Sequence, residues 1–151
     1  MTAVEEAIGQ VSQALADFIT LLEEEAVALA AQDSDRLAAM LPGRNEVNHR
    51  LAGAWLKLSE LANTPKPTGI AAMRAKLFAD GRPSDAWRRL EELAHISDRL
   101  NRVNGRLIEE QMRRTQAAMQ VLQNSIASRG IYGADGRVTD IFNVNRRIDS
   151  A

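Results

Sequence analysis

Cysteine is absent from this chain, which excludes disulfides and thiolate metal sites and fits a reducing compartment. Aromatic residues are almost as scarce and β-branched residues are thin, which argues against a sheet. No charge of one sign prevails: 19 Lys and Arg are interleaved with 20 Asp and Glu. A nucleic-acid binder needs a basic face, and a membrane-surface helix needs one rich in Lys and Arg. The pairs Arg88-Arg89, Arg113-Arg114 and Arg146-Arg147 are diluted by Glu, Asp and Gln and read as solvated faces. Long hydrophobic runs are missing too. The least charged stretch, residues 7–22, contains Gln10, Ser12, Gln13 and Asp17 and cannot span a bilayer. Glu5 and Glu6 stand where a signal peptide would carry Lys or Arg. The expectation is a cytoplasmic protein that binds no nucleic acid and inserts in no membrane.

What the chain does have is Ala, Leu, Glu, Gln and Arg, the residues of long helices, over a length that suits one domain with a modest core. Val4, Ile8, Val11, Leu15, Phe18, Leu22, Ala26 and Leu29 recur at steps of three and four and predict a helix over 2–31. Glu23-Glu24-Glu25 falls mostly on its solvent side. Residues 32–35 (Gln-Asp-Ser-Asp) form a break in which an aspartate or the serine caps the next helix. So short a connection makes that helix an antiparallel neighbour. Its stripe is Leu37, Leu41, Val47, Leu51, Trp55, Leu58 and Leu61, with a kink or short break expected at Pro42-Gly43. A linker with two prolines, residues 63–69, leads to a short helix over 70–79 and a turn at 80–83. The longest helix then starts at Ser84 or Asp85, reaches about Ser128 and stops at Gly130. The fold class is therefore all-α: an elongated antiparallel helical bundle of three long helices plus a short crossover helix, with a loosely structured C-terminal tail. Residues 1–129 form the bundle domain and residues 130–151 a flexible tail.

One metal-binding pattern needs testing. Glu46-x-x-His49 and Glu92-x-x-His95 repeat the spacing that di-iron bundles use, with ligands projecting inward. At about 100° per residue, His49 points nearly opposite the Val47–Leu51–Leu58 stripe, and His95 turns from the Leu93–Ile96–Leu100 face. Such ligands face water, so no metal and no cofactor is expected. A phosphate-cradling glycine loop, a thiol nucleophile and a triad context for either histidine are all missing. The chain is not expected to be an enzyme.

Some apolar and polar positions fit a closed core less well. Asn104 shares a face with Leu100, Leu107 and Ile108, where an unpartnered buried amide would cost about 1–3 kcal/mol. It either fixes helix register, as buried Asn does in coiled coils, or meets a ligand directly. Gly105 beside it weakens the helix by about 1 kcal/mol relative to Ala. Met112 and Met119 lie one above the other, as gap fillers or as an adaptable contact surface. In the tail, Val138, Ile141, Phe142, Val144 and Ile148 are apolar among Thr139, Asp140, Asn143 and Asn145, poor helix formers. That segment either orders on a partner or docks on its own bundle.

Three stretches carry a resemblance. They are Leu21-Leu-Glu-Glu-Glu-Ala-Val-Ala-Leu29 with Asp35-Arg-Leu37, then Asn101-Arg-Val-Asn-Gly-Arg-Leu-Ile108, then Tyr132-Gly-Ala-Asp-Gly-Arg137. In this order, and over nearly the whole chain, they resemble the FlgN family of flagellar type III export chaperones. The resemblance implies a non-enzymatic chaperone whose clients are hook-associated proteins of the hook–filament junction, FlgK-like and FlgL-like. It implies capture of the client's C-terminal helical region and delivery to FlhA at the export gate. Carried onto this chain, the client surface falls on Leu107, Ile108, Met112, Met119, Leu122, Ile126, Ile141 and Phe142. The gate-docking tyrosine falls on Tyr132, with Ile131 beside it; a ring folded back over the helix end is the competing reading. The rival from another class is a structural coiled-coil adaptor that self-associates, and a homodimer is allowed by either.

Overall fold

The computed structural model describes residues 2–64 and 68–129, which hold four helices and no strand. They are α1 (Ala3–Ala30), α2 (Ser34–Leu61), α3 (Ile70–Leu77) and α4 (Asp85–Arg129). The tail residues singled out in the sequence, Gly130, Ile131, Tyr132, Ile141 and Phe142 among them, lie outside the described residues. The chain divides into two compact units, Met1–Ile108 and Glu109–Ala151.

Local chemistry sets the helix ends of the first unit. Thr2 caps α1 by accepting the Glu5 amide at 3.1 Å, while the Glu5 carboxylate accepts the Thr2 amide, closing a capping box. At the other end Gln32 takes a left-handed φ of 55°, and Asp33 N–H donates to the Ala28 carbonyl at 2.9 Å. Asp33 then caps α2 by accepting the Arg36 amide at 3.1 Å. Asn63 ends α2 with the same device, at φ 52°. Ser84, rather than Asp85, caps α4, its hydroxyl accepting the Trp87 amide at 3.2 Å.

The expected interruption at Pro42-Gly43 does not occur. α2 runs from Ser34 to Leu61 with Pro42 inside it and exposed. One missing ladder donor is outweighed where the helix is anchored just beyond the proline, by Gly43 beside Leu21, by the Arg44–Glu25 pair and by buried Val47. Leu41 and Leu61, assigned to the buried stripe of α2, are instead exposed, whereas Val47 and Leu58 are buried as expected.

Pairings between the helices give their directions. Arg50 meets Asp17 and Arg44 meets Glu25, so α1 and α2 are antiparallel. α1 and the first half of α4 run the same way: Ala7, Ile8 and Val11 share a cluster with Trp87 and Leu90, and Leu22 and Glu25 meet Asn104. Up-down-up is what a short α1–α2 turn and a crossover through α3 produce. The main core gathers at the crossover end. There Ile8, Val11, Leu15, Leu58, Met73, Trp87 and Leu90 are buried together. Trp87 lies 5.8 Å from the Phe78 ring in a tilted pair, and its indole N–H donates to Glu91 at 2.7 Å.

Candidate partner-binding surface

The polar segment of α4 is built into the first unit by both of its asparagines. Asn104 is buried, and its amide N–H₂ donates to the Leu22 carbonyl at 2.9 Å and to Glu25 Oε1 at 3.2 Å. Glu25 in turn pairs with Arg44 of α2, and Arg44 donates to Asn101 Oδ1 at 3.2 Å. The guanidinium also lies over the Phe18 ring, 5.6 Å from its centroid. Each asparagine therefore takes one member of an α1–α2 ion pair, and together they fix the height of α4 against the hairpin. The register reading of Asn104 holds, and its partners are internal. Glu23 and Glu24 are exposed, in line with a run that lies mostly on the solvent side, while Glu25 is the member that faces inward. Asn104 Oδ1 is the one buried side-chain polar atom without a partner among the described residues.

The histidines take no part in this network. His49, Glu46, His95 and Glu92 are all exposed. Among the described residues no group of three or more His, Cys, Asp or Glu is placed to hold a metal ion. Nor, among them, is any helix long and apolar enough to cross a membrane.

The client positions inferred from sequence are less covered than core residues. In the first unit Leu107 is half-buried and Ile108 exposed. In the second unit Met112 is 58% exposed, Met119 and Leu122 are exposed, and Ile126 is half-buried. Their spacing of seven, three and four places Met112, Met119, Leu122 and Ile126 along one side of the helix. Sequence reasoning passed over Val121, which is 68% exposed. It stands two residues from Met119, off the three-and-four stripe, so periodicity did not select it. It also passed over a groove of 420 Å³ in the first unit, floored by Val11 and Leu15 and walled by Leu51, Trp55, Leu90 and Ala94. That groove is lined by residues of α1, α2 and α4 together, which no single helix's pattern contains.

Among the described residues the chain is an all-α protein whose last helix carries a row of largely exposed apolar side chains. Comparison with models of known families places the chain more narrowly: the model described as FlgN protein matches residues 1–140, and the chain belongs to that family. Its general role is that of a flagellar export chaperone, a family that binds hook-associated proteins. No curated protein and no solved structure matches the chain.

Proposed function

We propose that this protein is the cytoplasmic chaperone of the hook–filament junction proteins, FlgK-like and FlgL-like. It holds their C-terminal helical region and so prevents premature assembly, then delivers them to FlhA at the export gate. The observation that carries this reading is the row of exposed Met112, Met119 and Leu122, continued by half-buried Ile126, on α4. Amphipathic helices dock on such rows through anchors at steps of three, four and seven. Methionine suits a surface that accepts two different clients, because its unbranched chain repacks readily. Leu107 and Ile108 belong to the same client set, and Ile141 and Phe142 extend it into the partner-binding tail. Ile131 and Tyr132 are assigned to gate docking.

The test is complex formation with each junction protein, followed by light scattering at micromolar concentration. Met112→Glu combined with Met119→Glu should weaken binding by about tenfold or more, roughly 1.4 kcal/mol, and leave the melting curve in place. Truncation after Arg129 should abolish binding to FlhA. Failure to bind either junction protein sinks the client assignment. A stable homodimer that buries the α4 row and ignores both clients would favour the structural adaptor.

A further inference from the structure

From Asp85 to Arg114, α4 carries a charge on nearly every turn, yet no charged residue falls between Arg114 and Arg129. This stretch is mostly exposed helix, with Gln123, Ser125 and Ile126 half-buried, where solvation by charged side chains is the usual arrangement. At about 100° per residue its side chains fall on three faces. Met119, Leu122 and Ile126 form the apolar row already described. Ala117, Val121 and Ser125 form a second face of small and apolar side chains, with Val121 the most exposed large hydrophobic residue among those described. The third carries the amides Gln116, Gln120 and Asn124, and Gln120 donates to Asn124 at 3.2 Å within the helix.

One docked helix covers a stripe about 100° wide. Val121 lies roughly 140° around the helix from Ile126, too far for the helix that covers Met119 and Leu122. The small side chains beside Val121 let a second helix come close, whereas the amide face has its own polar groups to keep wet. Charge matching narrows the occupant further. A charged side chain brought against residues 115–128 would lose water and find no counter-charge.

We propose that residues 115–128 are enclosed on two adjacent faces by a pair of helices from the client protein, whose facing sides are apolar and free of charge, with the glutamine face left to water. This deepens the proposed function and rests on it: the client supplies a helical pair rather than one amphipathic helix, and α4 completes a three-helix unit with it.

The absence of cysteine makes the test clean, because a single introduced thiol is the only one present. Met119→Cys, Val121→Cys and Gln120→Cys are alkylated separately, free and with saturating FlgK-like or FlgL-like protein, complex formation being checked by light scattering. In the complex, alkylation should slow by about tenfold or more at positions 119 and 121 and by less than about twofold at 120. Protection at 119 alone, with complex present, overturns the pair and leaves the one-helix reading of the client surface standing. No protection at any position in a formed complex overturns both. If neither junction protein binds, the inference falls with the function it rests on. Protection of 119 and 121 in the free chain, at a mass above one copy, assigns both faces to self-association and overturns it as well.

Discussion

Removing Arg44 isolates the contribution of the polar junction between α1, α2 and α4. Arg44→Met keeps most of the aliphatic stem but takes away the cation shared by Glu25 and Asn101. The Glu25 side chain is 12% exposed and that of Arg44 26%, so the pair lies between two limits. Exposed ion pairs contribute about 0–1 kcal/mol, whereas stripping one partner from a fully buried pair costs about 3–5 kcal/mol. With water reaching one edge, Arg44→Met should cost about 1.5–3 kcal/mol, including a cation–π contribution of about 0.5–1 kcal/mol from Phe18. Glu25→Gln should be milder, about 0.5–1.5 kcal/mol, because the new amide oxygen still accepts from Asn104 and Arg44 can turn to solvent. The double variant should fall short of the sum by about 1 kcal/mol. Urea unfolding followed by far-UV circular dichroism gives all three values by linear extrapolation. A coupling below about 0.3 kcal/mol would reduce the pair to an ordinary surface contact. Glu25→Gln costing more than Arg44→Met would refute the argument that the carboxylate is the stranded group.

Trp87→Ala deletes the fully buried ring that joins Phe78 to the main cluster and should cost about 3–5 kcal/mol in the same unfolding assay; a loss below about 1 kcal/mol would contradict its central place. Pro42→Ala restores a ladder donor on an exposed stretch of continuous helix and should stabilise by about 1–3 kcal/mol, seen as a higher melting temperature. A lower one would show that the ring makes a packing contribution of its own. Gln32→Gly relieves a left-handed backbone at the end of α1 and should stabilise by about 0.5–1 kcal/mol, and no change would mean that the turn carries no strain.

The helix ends were legible because they rest on short-range chemistry: α1 and α4 begin and end within about a residue or two of where caps and stripes placed them. Pro42 misled because its local penalty is compared, in the folded chain, with contacts to α1 that sequence spacing does not display. Asn104 was readable as a buried polar residue from its stripe, but its partners lie 79 and 82 positions away, and Arg44 gave no local sign of joining them. The exposed row on α4 was legible as apolar and not as uncovered. Periodicity reports which side chains share a face, whereas exposure depends on what else the chain brings to that face. Val121 needed a different signal, the missing charges after Arg114, which concerns solvation rather than period.

The continuity of α2 hides an uneven attachment. Between residues 34 and 46 none of its side chains is buried, and Arg44 supplies the main polar tether across to α1 and α4. From Val47 onward the helix is anchored, with Leu58 and Ser59 fully inside. The first half has no buried side chain of its own to release, whereas opening the second disrupts the cluster around Trp87. Local opening free energies follow the contacts released, so amides before Val47 should exchange faster than those after it. A helix continuous in geometry is thus fastened mainly along its second half.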